Sequence, residues 1–347
     1  MDYKDIHNNE QEKLNQTESK NKFMNLKSDF FLSKLFDIMQ TKLSLKILKY
    51  NKAIQKRLNI NIKNYKKYSE TYTPIELEII PGEKKFDKFI NINEGEENFF
   101  HIYFNNKKKE VKRANLFEFD LVSKIKIIID YQVLSFNELF YFCTCIESIT
   151  FKKFYRNNIN NMRYMFFGCP SLKKIILSNF NTDNVTDMSY MFFGCASLEE
   201  IDLSKFNIRY ITDMSYMFSG CSSLKEINLS NFNNNYVNNM TGLFNGCTSL
   251  QKLNLNNFNT NYVTNMDAMF SGCSSLEELN LDYFNTNNVK SMKHMFFKCH
   301  ALKELNLSNF NFDNVTDMTG MFSECSDELK IKIKNQYTNF TEEAFNE

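Results

Sequence analysis

The fold of this chain is decided by NMRYMFFGCPSLKKIILSNF, residues 161–180, because this stretch recurs along the sequence every 26 residues. Cysteine keeps the interval from Cys169 to Cys325, and phenylalanine keeps it from Phe180 to Phe310. A fixed period of roughly 20–50 residues is typical of stacked units, each of which buries its apolar face against its neighbours. The sequence therefore predicts a solenoid that is built from 26-residue units.

Each unit combines a strand pattern with a helical pattern. The segment 198–203 reads Leu-Glu-Glu-Ile-Asp-Leu, which matches the leucine-rich-repeat strand pattern. The segment 211–220 carries apolar residues at helical spacing. Thr212 or Asp213 can cap the start of this helix, and Gly220 can adopt the left-handed conformation that ends it. The predicted fold class is an α/β solenoid in which every unit contributes one strand and one short helix.

The repeat as a whole is specific enough to indicate a family. The unit Met-x-x-Met-Phe-x-Gly-Cys-x-Ser-Leu-x-x-Leu-x-Leu-Ser-x-Phe-Asn-Thr resembles the BspA-type leucine-rich repeat over about residues 133–329. This family occurs as tandem arrays in surface proteins of bacteria and protists, and its members bind other proteins. The resemblance therefore implies a leucine-rich-repeat fold, a protein ligand, and the cell surface as one location of the chain.

The array begins before its pattern looks regular. Cys143 lies 26 residues before Cys169, so the leucine-rich-repeat array is predicted over residues 132–329, with a degenerate first unit. Lys124–Ile129 is interpreted as the strand of a shortened unit that precedes it.

The array ends in a different pattern. Leu329, Ile331 and Ile333 alternate with lysines, and charged outward positions on a last strand prevent pairing with another edge. We therefore predict a C-terminal cap strand and tail over residues 330–347.

Three segments are predicted to precede the array. Residues 1–25 are polar and predict a disordered tail. Residues 26–68 carry apolar residues three and four positions apart, which is typical of short amphipathic helices. Residues 69–131 are rich in aromatic and β-branched residues and predict a small β subdomain that caps the array. Its strand-like stretches are Ile75–Ile79, Phe89–Ile92 and Phe99–Phe104.

Part of the helical segment resembles an F-box. The apolar positions that follow the order of this motif are Leu32, Leu35, Phe36, Met39, Leu43, Leu45, Leu48, Tyr50 and Leu58. The leading Leu-Pro pair and the late Trp of the motif are absent. The resemblance implies that residues 26–60 dock to a Skp-type adaptor of a ubiquitin ligase.

The sequence contains no set of residues that indicates catalysis, a metal or a cofactor. Because one cysteine per unit recurs about 5 Å along a stack, the cysteines cannot converge on a tetrahedral zinc site. We therefore predict that they are buried thiols. No glycine-rich phosphate-binding loop is present, and the 4 histidines are scattered. The chain is predicted not to be an enzyme.

Charge and hydropathy limit the partners and the location. The net charge of +1 is the sum of +7 before residue 161 and −6 from that residue onward. This charge asymmetry is too small to indicate nucleic acid as a partner. The basic cluster of Lys107–Lys109, Lys112 and Arg113 is interpreted as solvated loop charge. We find no secretory signal and no membrane span, so a cytoplasmic location is predicted, with the cell surface as the alternative.

Partner binding is expected at positions that vary between units, because the repeated positions are occupied with packing. On the outer face of the strands these positions are Lys174, Glu200, Asp202, Glu226, Asn228, Lys252, Asn254, Glu278 and Asn280. In the loop after the strand they are Tyr210, Tyr236 and Tyr262. The predicted function is non-catalytic protein binding by the concave face and its flanking loops. The F-box resemblance would make the chain a substrate adaptor, whereas the BspA resemblance would make it a surface adhesin for host or extracellular ligands.

Overall fold

The computed structural model describes residues 27–29, 31–32, 51–58, 73–83, 86–177, 180–230, 232, 236–256 and 258–346. Their structure is mostly strands, turns and loops, with few helices. The chain divides into two compact parts, Met1–Tyr72 and Thr73–Glu347. The tail that was predicted over residues 1–25 and most of the F-box-like segment lie outside the described residues.

Most of the described residues of the first part are helical. Helix α1 covers Lys52–Arg57, and the Asn51 side chain caps it by accepting hydrogen bonds from two backbone N–H groups at 3.1 Å. Leu32 lies in a helical stretch, and the side chains of Leu32 and Ile54 are fully buried. Ile54 belongs to the apolar spacing on which the helical prediction rests, whereas Leu32 is one of the F-box-like positions. Phe31, another residue of that spacing, is 64% exposed.

The second part begins with a five-stranded sheet in the order β2-β3-β1-β4-β5. Strands β1 to β4 pair antiparallel, whereas β5 pairs parallel with β4. Along β1, β2 and β3 every second side chain is buried, as expected for a sheet with one face toward a core. The bounds are Ile75–Pro81 for β1, Phe100–Phe104 for β2, Ile125–Ile129 for β3, Ile146–Lys153 for β4 and Lys174–Ile176 for β5.

Two predictions about this region are wrong. Strand β3 is not part of a shortened repeat unit, because Ile127 lies antiparallel between Leu77 of β1 and Ile102 of β2. The alternating residues of β3 specify a strand, but pairing with β1 on one side and β2 on the other determines its neighbours. The segment 89–92 forms no strand either. Phe89 is fully buried beside a single bridge between its neighbour Lys88 and Asn115.

The repeats place residues 26 positions apart opposite each other. Ile149 of β4 lies opposite Ile175 of β5. Strand β6 (Glu226–Asn228) pairs in the same way with β7 (Lys252–Asn254). Parallel bridges join successive units at one position per unit, from Ser135–Asn161 to Ser291–Asp317. The 26-residue spacing of the sequence is therefore also the spacing of the backbone contacts.

The predicted helix of each unit is wrong, because the segment consists of consecutive tight turns. The N–H of Tyr164 donates to the carbonyl of Ser189 in the next unit at 3.1 Å, and the N–H of Phe167 donates to the carbonyl of Tyr164 at 3.1 Å. Successive N–H groups donate in turn to the next unit and to the carbonyl three residues earlier. The i to i−4 hydrogen bonds of an α-helix therefore do not form. Tyr164 and Gly168 have φ values of 55° and 66°, outside the right-handed helical region. Apolar residues three positions apart fit such turns as well as a helix.

The core contains columns of phenylalanine and cysteine. The Phe192 ring stacks between Phe166 at 5.4 Å and Phe218 at 5.5 Å. The Cys195 thiol donates to the carbonyl of Phe166 at 3.2 Å, and this bond repeats along the column. All nine cysteines are free and buried, which confirms the prediction of buried thiols. Burial raises the pKa of the Cys169 thiol to about 12.

The C-terminal cap is a helix and not the predicted strand. Helix α2 covers Asp327–Gln336, and Ser326 caps it by accepting the N–H of Leu329 at 3.2 Å. Leu329 and Ile333, four residues apart, are fully buried, whereas Ile331 is 59% exposed. The Ser-Asp-Glu start and this i, i+4 pair favour a helix over the strand that the alternation with lysine predicts.

The segment after α2 completes the last unit. The backbone N–H groups of Gly320 and Phe322 donate to the carbonyls of Glu343 and Ala344, both at 2.7 Å. In the preceding units the equivalent N–H groups bond to the next unit. Ala344 and Phe345 are buried, so the C-terminal segment closes the repeat region with the same backbone bonds that join its units.

A matched pair of glycines tests the turns. Gly246→Ala is expected to lower the free energy of unfolding by about 1–2 kcal/mol, because an alanine would adopt a positive φ. Gly242→Ala is expected to cost at least about 1 kcal/mol more, because the added Cβ would overlap the Tyr216 ring. That ring stacks on Tyr190 at 4.8 Å. Urea unfolding followed by circular dichroism measures both values. Equal losses would contradict the close approach of Tyr216.

Candidate partner-binding groove

The nine predicted strand-face positions line one open groove of about 900 Å³. They are brought together because Ile175, Ile227 and Leu253 point toward the core of their units, so the residues on either side of each point outward. The nine residues are Lys174, Glu200, Asp202, Glu226, Asn228, Lys252, Asn254, Glu278 and Asn280. We call this surface the strand-face groove.

One column of the groove has side chains that the backbone holds in place. The Asn228 side-chain oxygen accepts the N–H of Ser230 at 3.0 Å, and Asn254 accepts the N–H of Asn256 at 3.0 Å. Asp202 and Asn280 accept the N–H of the residue two positions later in the same way, and Asn306, outside this groove, does so as well. Such a bond uses the oxygen of each amide, while its NH₂ group still carries two donors. The asparagines of the column therefore present regularly spaced hydrogen-bond donors, whereas Asp202 offers only acceptors.

The charged side chains of the groove are of both signs and are weakly coupled. Lys174 lies 3.6 Å from Glu200, and Lys252 lies 4.0 Å from Glu226. All four side chains are more than half exposed, and exposed pairs of this kind contribute little stability. The backbone N–H of Ser204 lowers the pKa of the Asp202 carboxyl by hydrogen bonding to it. These charges can therefore exchange their present partners for those of a ligand.

A second groove of about 970 Å³ shares Glu278 and Asn280 with the first. Its far wall includes Ile333 and Tyr337 of the C-terminal cap, and the Tyr337 hydroxyl accepts the N–H of Leu307 at 2.9 Å. The alternation with lysine over 329–334 predicts a strand, so that pattern does not indicate this wall. The signal that indicates it is the helix start at Ser326, followed by two acidic residues. The two grooves together form one continuous polar surface.

The three predicted tyrosines form a separate surface. Tyr210, Tyr236 and Tyr262 are 46–61% exposed and are not among the residues that line the two grooves. The Arg209 guanidinium lies 5.6 Å from the centre of the Tyr210 ring, a cation–π distance. The 26-residue spacing places the tyrosines at equivalent positions, but the structure does not bring them to the strand-face groove.

The described residues contain no cluster that suggests metal chemistry or a membrane span. Among them, no three His, Cys, Asp or Glu side chains are placed to hold a metal ion. No helix within the described part of the chain is long and apolar enough to cross a membrane. What the groove offers is a row of amide donors, carboxylates and ammonium groups along an open surface.

A comparison with known families matches the repeat region. The sequence model of the family described as Mycoplasma protein of unknown function, DUF285, matches residues 134–252 and 224–335, which together cover more than half of the chain. The chain belongs to the DUF285 family. The DUF285 match begins in the first repeat unit, ends within α2 and contains the nine strand-face residues. No curated protein matches the chain, and no solved structure matches it.

Proposed function

We propose that this chain is a non-catalytic protein-binding module whose units form a leucine-rich-repeat solenoid of the BspA type. The parallel bridges at 26-residue intervals from Ser135 to Asp317 support the solenoid. One observation carries the binding function: the nine outward strand positions line a single groove. Repeat proteins use surfaces of this kind to recognise other proteins.

The chemistry of the groove favours a protein ligand over a small molecule. Small-molecule sites are typically enclosed and mostly apolar, whereas this groove is open and lined by amides and charged side chains. Its two halves, which meet at Glu278 and Asn280, extend from Lys174 to Gln336. A surface of that length suits an extended polar segment or the face of a folded partner.

The proposal extends to the role of the first part of the chain. The F-box resemblance of residues 26–60 supports docking to a Skp-type adaptor, which would make the strand-face groove the site of substrate capture. The alternative is a BspA-like surface protein that binds extracellular ligands through the same groove. Recovery of a Skp-type adaptor that depends on residues 26–60 would favour the first role, and labelling of the chain on intact cells would favour the second.

Charge reversal tests the groove. The double variant Glu226→Lys/Glu278→Lys is expected to weaken capture of partner proteins at least about tenfold, because it turns two acidic groove positions basic beside Lys252. The measurement is affinity capture with the full chain, followed by quantitative mass spectrometry of the retained proteins.

A second charge reversal provides the control. Asp183→Lys/Asp313→Lys makes the same change at exposed residues outside both grooves, and its retained proteins should equal those of the unaltered chain. Circular dichroism confirms that each variant is folded. A set of retained proteins that does not differ between the groove variant and the control would refute binding through the strand-face groove.

A further inference from the structure

A loop in the β subdomain exposes three large apolar side chains. Phe117 is 55% exposed, Phe119 is 90% exposed and Leu121 is 93% exposed. Their neighbours Leu116 and Val122 are buried, so the loop is anchored at both ends. Grouped apolar side chains on a protein surface mark interaction sites more often than isolated ones do. The repeat region and its groove do not involve these residues.

Hydrogen bonds hold this loop in its exposed conformation. The Arg113 guanidinium donates two bonds to the Asp120 carboxylate, both at 2.6 Å. The same carboxylate accepts the backbone N–H of Phe117 at 2.7 Å. The Asn105 side chain donates to the carbonyl of Leu121 at 2.6 Å. The apolar side chains are therefore presented by a fixed turn, which lowers the entropy lost on binding.

A basic turn lies directly beside the apolar loop. Asn105, which bonds to Leu121, begins the turn that carries Lys107–Lys109, and all three lysines are exposed. Residues 105–123 contain five basic and three acidic side chains, a net charge of +2. Arg113 is paired with Asp120, and Lys112 is paired with Glu110. Within residues 105–123, Glu118 is therefore the one remaining acidic residue to balance the charge of the three lysines.

We propose that these two loops dock the chain on the surface of an anionic lipid bilayer. Phe117, Phe119 and Leu121 enter the headgroup boundary, and Lys107–Lys109 contact anionic headgroups. Apolar side chains at the boundary and basic side chains at its rim are the combination by which peripheral proteins bind such membranes. We call these six residues the lipid-docking tip.

The shape of the tip favours a lipid surface over an acidic protein. Anchor residues at protein interfaces fill pockets and are enclosed by a rim that excludes water. Here Phe119 and Leu121 protrude almost completely into solvent at the end of a loop. A bilayer accepts protruding side chains without a matching pocket, and lysines can follow mobile headgroups because they act as point charges.

Vesicle sedimentation with the full chain tests the proposal. The chain is expected to bind vesicles of phosphatidylserine and phosphatidylcholine in equal parts more tightly than vesicles of phosphatidylcholine alone. Phe119→Ser/Leu121→Ser should weaken binding more than about tenfold. Lys107→Gln/Lys108→Gln/Lys109→Gln should weaken it by about fivefold per lysine at low salt, with a smaller effect at high salt.

Two control variants make the same changes elsewhere. Ile331→Ser/Tyr283→Ser alters two other exposed apolar residues, and Lys225→Gln/Lys290→Gln/Lys293→Gln removes three exposed lysines outside both grooves. Both should bind vesicles as the unaltered chain does. The proposal is overturned if the unaltered chain does not bind the anionic vesicles, if the controls lose as much binding as the tip variants, or if the apolar substitutions have no effect. Tip-dependent binding to immobilised polyglutamate without binding to vesicles would identify an acidic protein as the partner and overturn it as well.

Discussion

Raising the pH from about 8 to about 10 is expected to lower the free energy of unfolding by at least about 6 kcal/mol, which is comparable to the whole stability of a typical domain. Burial raises the pKa of the Cys145, Cys169 and Cys247 thiols to about 12 and that of Cys325 to about 11. In the unfolded chain a thiol titrates at about 8.5. The other buried thiols have raised pKa values as well and add to the effect.

The direction follows from which state keeps its protons. Between the two pKa values the unfolded chain has lost thiol protons that the folded chain retains, so a rising pH favours unfolding. The stabilising contribution of the protonated buried thiols is complete below pH about 8.5. It is lost as the pH rises toward their pKa in the folded chain, about 12. Each buried thiol costs about 1.4 kcal/mol per pH unit in this window.

Urea unfolding at a series of pH values measures the effect, and Cys221→Ala is the control. Cys221 is fully buried and burial raises its pKa, so the variant is expected to be less stable at neutral pH. Its stability should nevertheless fall less steeply above pH about 9, by about 1.4 kcal/mol per pH unit, because one proton fewer is lost on unfolding. Lysines titrate in both proteins and cancel in the comparison. An unchanged slope would contradict the role of the thiol.

Removing one ring from the centre of the phenylalanine column is expected to be the most damaging single substitution. Phe218 is fully buried and stacks on Phe192 at 5.5 Å and on Phe244 at 5.8 Å. Phe218→Ala should lower the free energy of unfolding by about 3–5 kcal/mol, since it leaves a cavity between two units. Because each unit contacts its immediate neighbours, the two sides of the cavity should also unfold in separate steps.

Phe119→Ala makes the same chemical change at a ring that is 90% exposed, and it should alter the free energy of unfolding by less than about 0.5 kcal/mol. Thermal and urea unfolding by circular dichroism report the midpoint and the number of transitions. If Phe218→Ala unfolded like the Phe119→Ala variant, Phe218 could not lie in a closely packed column.

The period of the sequence is sufficient to predict the candidate site but not the local backbone. Residues 26 positions apart lie opposite each other, so counting from Ile175 identifies which side chains face the core and which enter the groove. The helical prediction is wrong because the conformations that break the helix occur at residues without a sequence signal. Tyr164, Tyr190 and Ala268 all have positive φ values, although such residues rarely adopt them.

Long-range pairing explains the other errors. The pattern of β3 requires a strand, but its position between β1 and β2 depends on contacts with residues at least 21 positions away, which local alternation does not encode. At the C-terminus, the alternation with lysine over 329–334 predicts a strand, while the i, i+4 spacing of Leu329 and Ile333 predicts a helix. The capping bond of Ser326 favours the helix. The second groove was missed as a direct result of this error.

The backbone bonds that close the last unit have a consequence for the length of the chain. Gly320 and Phe322 bond to the C-terminal segment as earlier units bond to their successors, so the closing segment is compatible with any unit that carries the same pattern. Inserting or deleting one whole block of 26 residues would therefore preserve both ends. It would lengthen or shorten the strand-face groove by one strand spacing, about 4.8 Å. The reach of the groove is thus a quantity that duplication can change in fixed steps without redesigning the protein.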